Sequence, residues 1–95
     1  MLFEWDTDKA VGNLKKHGVS FELAQTVFND PLHLSVLDKK APCEERWATI
    51  GFSADLKTLL VVHTYTVLES NQESIRIISA RKATHHEKRQ YEKEI

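Results

Sequence analysis

One cysteine, Cys43, stands in the 95 residues, so no internal disulfide can form and no set of thiolates can hold a zinc ion. That usage fits a reducing compartment, and a cytoplasmic setting is the expectation. Glycine is scarce too, and the three residues at 12, 18 and 51 stand too far apart for a phosphate-cradling loop. No apolar run approaches the roughly 18 residues of a membrane span, and Met1 to Asp6 lacks the basic start and apolar stretch of a leader. Neither membrane insertion nor secretion is expected. The net charge of −1 does not by itself announce a nucleic-acid partner.

What is present is a foldable chain. Hydrophobic residues make up 41% and charged residues 28%, which is too apolar for disorder, and the length suits one domain spanning 1–95. Charge is unevenly placed. Residues 1–74 carry seven basic and eleven acidic side chains, whereas 75–95 carry six basic and three acidic. The C-terminal end is therefore cationic.

After a short apolar stretch from Leu2 to Trp5, Asp6 or Thr7 is placed to cap a helix that runs to about Lys16 and is closed by Gly18. Its shared face is expected to be Ala10, Leu14 and His17. A second helix starts at Ser20, buries Phe21, Ala24, Val27 and Phe28, and ends at Asn29-Asp30-Pro31. The period then falls to two, the mark of strands. Runs near Leu32–Val36, Arg46–Phe52, Leu59–Val67 and Ile75–Ser79 follow, with a hairpin loop at Ser53–Lys57. Thr84 and Glu87 form a capping box that opens a last helix to about Glu94, whose one large apolar residue before Ile95 is Tyr91. This order predicts an α+β domain whose antiparallel sheet of four strands, with a short N-terminal strand added, carries two N-terminal helices and a C-terminal helix.

Several chemistries lack their residues. His85 and His86 are adjacent, which points two imidazoles about 100° apart on a helix, so no metal site is expected. Glu44 and Glu45 beside Cys43 disfavour a thiolate, and no strand-turn-helix elbow surrounds a serine. What remains is arginine, lysine and histidine. Cleavage of RNA through its own 2′-hydroxyl needs a base, a cation for the phosphorane and an acid for the leaving oxygen. Arg76, Arg81, Lys82 and Arg89 are candidates for the phosphate, and His63, His17 or a lysine of lowered pKa for the proton. Each has a plainer account. His17 can cap its helix, His63 can be a core histidine, Arg46 and Arg76 can be halves of ion pairs, and Trp5 and Trp47 can be core.

Phe3-Glu4-Trp5-Asp6 with Lys9 and Asn13, the run Lys16 to Glu22 (KHGVSFE), and Val27 to Pro31 (VFNDP) make a distinctive order of blocks. Glu45-Arg46-Trp47 with Ile50-Gly51, and Arg76 to Ala83 (RIISARKA) with Glu87 and Tyr91, continue it. In that order, over residues 3 to about 92, they resemble the BrnT family of type II toxin–antitoxin systems. The resemblance implies a RelE-like fold and an endoribonuclease that inhibits translation without metal or cofactor. It also implies neutralisation by a BrnA-like ribbon-helix-helix antitoxin in a 2:2 complex that represses its own operon, with operator DNA contacted only through the antitoxin. Carried onto matching positions, it implies His17, His63, Arg76 and Arg81 as catalytic and Arg46, Lys82 and Tyr91 as substrate-binding; Lys16 and Arg89 join the latter as nearby cations. A non-cleaving partner that only assists repression is the alternative.

Overall fold

The computed structural model describes residues 1–39 and 44–93; Cys43 lies outside them. Strand β1 (Leu2–Glu4) leads into helix α1 (Thr7–His17). The Asp6 carboxylate accepts the Asp8 amide at 2.9 Å, and Gly18, at φ 69°, donates its amide to the Leu14 carbonyl, so both ends are capped as the sequence predicts. Ser20 caps α2 (Phe21–Gln25) through the Leu23 amide, and the chain tightens into a 3-10 turn over Thr26–Asn29. The predicted second helix is thus an α-helical turn followed by a 3-10 turn. Asp30 closes the segment by accepting the Leu32 amide, which delays β2 to Leu34–Asp38.

Strands β3 (Arg46–Phe52), β4 (Thr58–Val67) and β5 (Glu73–Lys82) form an antiparallel meander with β2. The spatial order is β1-β5-β4-β3-β2, and β1 pairs parallel to β5. The expected four antiparallel strands are present, and the short N-terminal strand makes the sheet mixed. Helix α3 (His85–Lys93) ends the described chain, opened by the reciprocal bonds of Thr84 and Glu87.

One face of the sheet, the helix face, carries α1, α2 and the 3-10 turn. Its core holds Phe21, Ala24 and Val27 from the helical layer against Leu59, Val61, Ile75, Ile77 and Ala80. The other face is covered by α3 at one end, where Tyr91 packs with Ile50 and Leu60. We call it the open face. Of the face expected for α1, Ala10 packs against the core and His17 is half-buried, but Leu14 is 51% exposed and its place is taken by the buried Asn13. The reason is polar. The Asn13 amide donates to the carbonyls of Val19 and Ala80 and accepts from the Ala80 amide, so α1 docks on β5 through hydrogen bonds. Gly51 on β3 permits close approach of the 3-10 turn, since a Cβ there would lie 2.9 Å from Val27 Cγ1.

The long hairpin contains one irregularity with a large effect. Val62 pairs with Ser79 but His63 pairs with Ile77, so Ile78 is an extra residue in β5, a β-bulge. Before it, Ile75 and Ile77 face the helices; after it, Ala80 does. The alternation has changed phase.

Candidate functional site

Arg76 and Arg81 are five residues apart, an odd spacing that simple alternation puts on opposite faces. The bulge at Ile78 reverses this. Arg76 pairs across to Thr64 and Arg81 to Leu60, four residues apart on β4, so both arginines lie on the open face roughly 13 Å from each other along the strand. Arg46 joins them, because it shares its face with Ala48 and Ile50 on β3, and Ala48 is opposite Val62. Three guanidinium groups from two strands thus stand on the face that the helical layer leaves free.

Each is held by a carboxylate. Arg76 Nη2 donates to Glu44 Oε2 at 2.8 Å, and the same carboxylate puts Oε1 3.5 Å from Arg46 Nε. The ion pairs considered for these two arginines therefore share one partner. Arg81 donates from both terminal nitrogens to Glu87, at 2.7 and 2.9 Å, in a bidentate pair that also ties α3 to the sheet. The Arg81 guanidinium holds the Glu87 carboxyl down at about 2, and the carboxylate in turn raises the arginine. The capping box predicts one role for Glu87, and the phase change in β5 gives it a second by bringing Arg81 to the same face as α3.

Tyr91 also reaches the open face, but its hydroxyl donates to Asp30 Oδ2 at 2.5 Å. Burial, with the Asp30 carboxylate beside it, pushes that hydroxyl up to about 12. Burial raises Asp30 itself, but bonds from the Phe52 amide, Tyr91 and the Leu32 amide outweigh it and leave the carboxyl below its ordinary value. Tyr91 is thereby a fastener of α3 and not a free acid. Arg89, on the same helix, is exposed and two residues from both Glu87 and Tyr91, so it points away from the sheet.

The histidines are elsewhere. His63 pairs with Trp47 and Ile77 on the helix face and is 3% exposed, with the Phe28 ring against it in an edge-on contact at 4.9 Å. Burial lowers its affinity for a proton, the nearby His33 adds to this, and the bond to the Thr64 carbonyl opposes it. In the neutral ring Nδ1 donates to that carbonyl at 3.0 Å, so Nε2 accepts from Thr49 Oγ1 at 2.6 Å, and Thr49 accepts in turn from Ser35. Both nitrogens are occupied, and the sheet stands between this ring and the arginines. His17 and Lys16 lie in the last turn of α1, and Lys82 pairs with Leu59 on the helix side. The grouping of His17 and His63 with Arg76 and Arg81 in one site is therefore corrected: strand parity puts His63 behind the sheet, and α1 carries His17 there too. A hollow of about 240 Å³ beside His63 is walled by Phe28, Trp47 and Tyr65.

A mixed sheet with α1 and α2 on one face, and with three arginines and α3 on the other, defines a small α+β domain. The chain matches, over residues 5–87, the family described as "Ribonuclease toxin, BrnT, of type II toxin-antitoxin system", and it belongs to that family. No match is found among curated proteins. Among solved structures it is similar to the Brucella abortus ribonuclease toxin BrnT, at 20% identity and a TM-score of 0.58, covering 90% of this chain and 100% of that one. That likeness concerns the fold.

Proposed function

We propose that this chain is an endoribonuclease that binds the RNA backbone on its open face and cleaves it by attack of the 2′-hydroxyl on the adjacent phosphate: the new bond closes a 2′,3′-cyclic phosphate, the bond to the 5′-oxygen breaks, water takes the hydroxyl proton, and water returns one to the leaving oxygen. The observation that carries this reading is the convergence of Arg46, Arg76 and Arg81 on one face, of which α3 covers only one end, brought about by the bulge at Ile78. Guanidinium forks match phosphate oxygens and stay charged, and they supply the positive charge that a metal would otherwise bring. Arg76 and Arg46, at the end free of α3, bind the reacting phosphate and stabilise the phosphorane. Arg81, bound to Glu87, fixes the helix that borders the RNA path. Since both candidate histidines lie behind the sheet, stabilisation of developing charge, and not imidazole acid–base chemistry, supplies the rate.

Two outcomes follow. Arg76→Ala or Arg46→Ala lowers cleavage of a single-stranded RNA by roughly 10²-fold or more, as loss of a preorganised charge does, while the melting temperature changes little. The rate of the natural chain, followed against pH, shows no inflection near 6.5, the value of a free histidine. Loss of cleavage in a folded His17→Ala variant would return the proton transfer to that residue.

Cleavage in the cytoplasm inhibits translation, and a BrnA-like ribbon-helix-helix antitoxin restrains it in a 2:2 complex that contacts operator DNA through the antitoxin. The family supports an antitoxin partner, and the strip of Val36, Ala48 and Val62 between the arginines, with Val36 55% exposed, offers apolar surface for one. No described helix is long and apolar enough to cross a membrane. The second reading, a partner that assists repression without cleaving, is favoured by the carboxylates already seated on all three arginines. Induction of the chain alone separates the two. Growth arrest with RNA cleavage supports the nuclease, and normal growth with intact RNA and soluble protein supports the repressor partner.

A further inference from the structure

The end of the open face that is free of α3 holds a hollow of about 370 Å³ lined by Glu4, Glu44, Glu45, Thr64, Thr66 and Arg76, with Arg46 beside it. The hollow's lining sets Arg76 against three carboxylates, and Arg46 beside it faces Asp38 across the β2–β3 pair, so carboxylates outnumber guanidinium groups there. An anionic ligand is repelled by that balance. Yet the contacts of Glu44 are those of an anion in an arginine pair: one oxygen on each guanidinium, at 2.8 Å from Arg76 and 3.5 Å from Arg46. The second distance is too long for a good hydrogen bond, and Arg46 Nε is buried with no hydrogen-bond partner. A carboxylate's two close oxygens serve one arginine well and leave the other's donor unmet, whereas the broader tetrahedron of a phosphate can reach both.

We infer that Glu44 is a built-in competitor for the phosphate site formed by Arg46 and Arg76, and that RNA binds there by displacing it. Three facts support displacement. Glu44 lies outside the strands, just before β3; its side chain is 38% exposed; and its only described holds are these two ion pairs, of a kind worth little in water. Glu45 is its neighbour in the chain. Departure of the Glu44 carboxylate takes one negative charge from between the two guanidinium groups and frees the donors of both. The site is then closed to stray anions such as inorganic phosphate and opens to a ligand with enough further contacts to repay the exchange. This inference rests on the proposed RNA reading for the identity of the ligand, but the competition itself does not.

The test therefore uses two probes. Inorganic phosphate is titrated into the full chain and followed by the side-chain Nε–Hε signals of Arg46 and Arg76, and a short single-stranded RNA is followed by anisotropy at low salt. Glu44→Gln keeps the size and removes the charge, and it is expected to tighten phosphate by about two- to fivefold, the yield of removing one exposed ion pair. The KM for RNA falls with it. Glu45→Gln has a smaller effect, and Arg46→Ala in the Glu44→Gln background removes the gain. Phosphate affinity equal to or weaker than that of the natural chain in both Glu44→Gln and Glu44→Ala overturns the inference. If RNA is cleaved but phosphate binding is unchanged by these variants, the competitor role falls and the nuclease reading stands. If phosphate tightens in a chain that neither binds nor cleaves RNA, the competitor role stands and the nuclease reading falls.

Discussion

Asn13 shows how a single polar side chain can do what a hydrophobic contact usually does. It stands on the face of α1 turned to the sheet, and its three bonds, at 2.8 to 3.1 Å, fasten the helix to β5 and to the turn at Val19. Its replacement by alanine leaves three backbone groups without partners in a buried place, and about 2–4 kcal/mol of stability is expected to be lost, measured by denaturant unfolding. A loss under 0.5 kcal/mol would mean that water repairs the gap. The same logic applies to Thr49, which sits between Ser35 and His63. Thr49→Val removes the hydrogen bond to His63 Nε2 and is expected to lower stability by about 1–3 kcal/mol while leaving the pH dependence of RNA cleavage unchanged. A displaced pH profile would place His63 in the chemistry after all.

At the scale of elements, α3 is held by the packing of the Tyr91 ring on Ile50, Leu60 and Phe52 and by two charged fasteners. Glu87 binds Arg81 at the start of the helix, and Tyr91 binds Asp30 near its end. The Glu87 carboxyl is lowered from 4.5 to about 2, so its contribution is complete above pH 4.5 and is lost as the pH falls toward 2. Asp30, also lowered, acts in the same direction. Acidification over that range is therefore expected to release about 1–2 kcal/mol, a figure reduced for the exposure of Arg81, with α3 amides losing protection from hydrogen exchange first. Glu87→Gln should flatten most of this dependence; an unaltered acid limb in that variant would assign it to other carboxylates. The helix was legible in the sequence through Thr84 and Glu87, because a capping box is local. So were both caps of α1 and the four antiparallel strands, which rest on period and turn chemistry within a few residues. The mixed sheet, the docking face of α1 and the extra residue in β5 were not, since each depends on which strand lies beside which. The same limit separated the histidines from the arginines: residue types were readable, and the face each occupies was set by pairing.

Across the whole molecule, the two faces of the sheet divide the work. The helix face holds Phe21, Leu59, Val61, Ile75 and Ile77, all nearly inaccessible, and the open face holds three arginines each within reach of solvent. Substitutions should sort accordingly. Changes such as Ile77→Ala or Gly51→Ala lower stability, by about 2–5 kcal/mol for the first and about 1–3 kcal/mol for the second, where the new methyl meets Val27. Arg46→Ala and Arg76→Ala should instead fall within about 0.5 kcal/mol of the natural chain while losing nuclease activity. A scan that measures melting temperature and RNA cleavage side by side tests the division, and an open-face variant that loses activity only by unfolding would contradict it.

The bulge also turns sequence spacing into a rule that can be checked in other chains. With Ile78 present, an interval of five carries two arginines to one surface; a regular strand achieves this only with four or six. A relative that lacks the extra residue must therefore shift one of the two arginines by one position to keep the pair together. An alignment that matches arginine to arginine across such a gap would join residues that look in opposite directions.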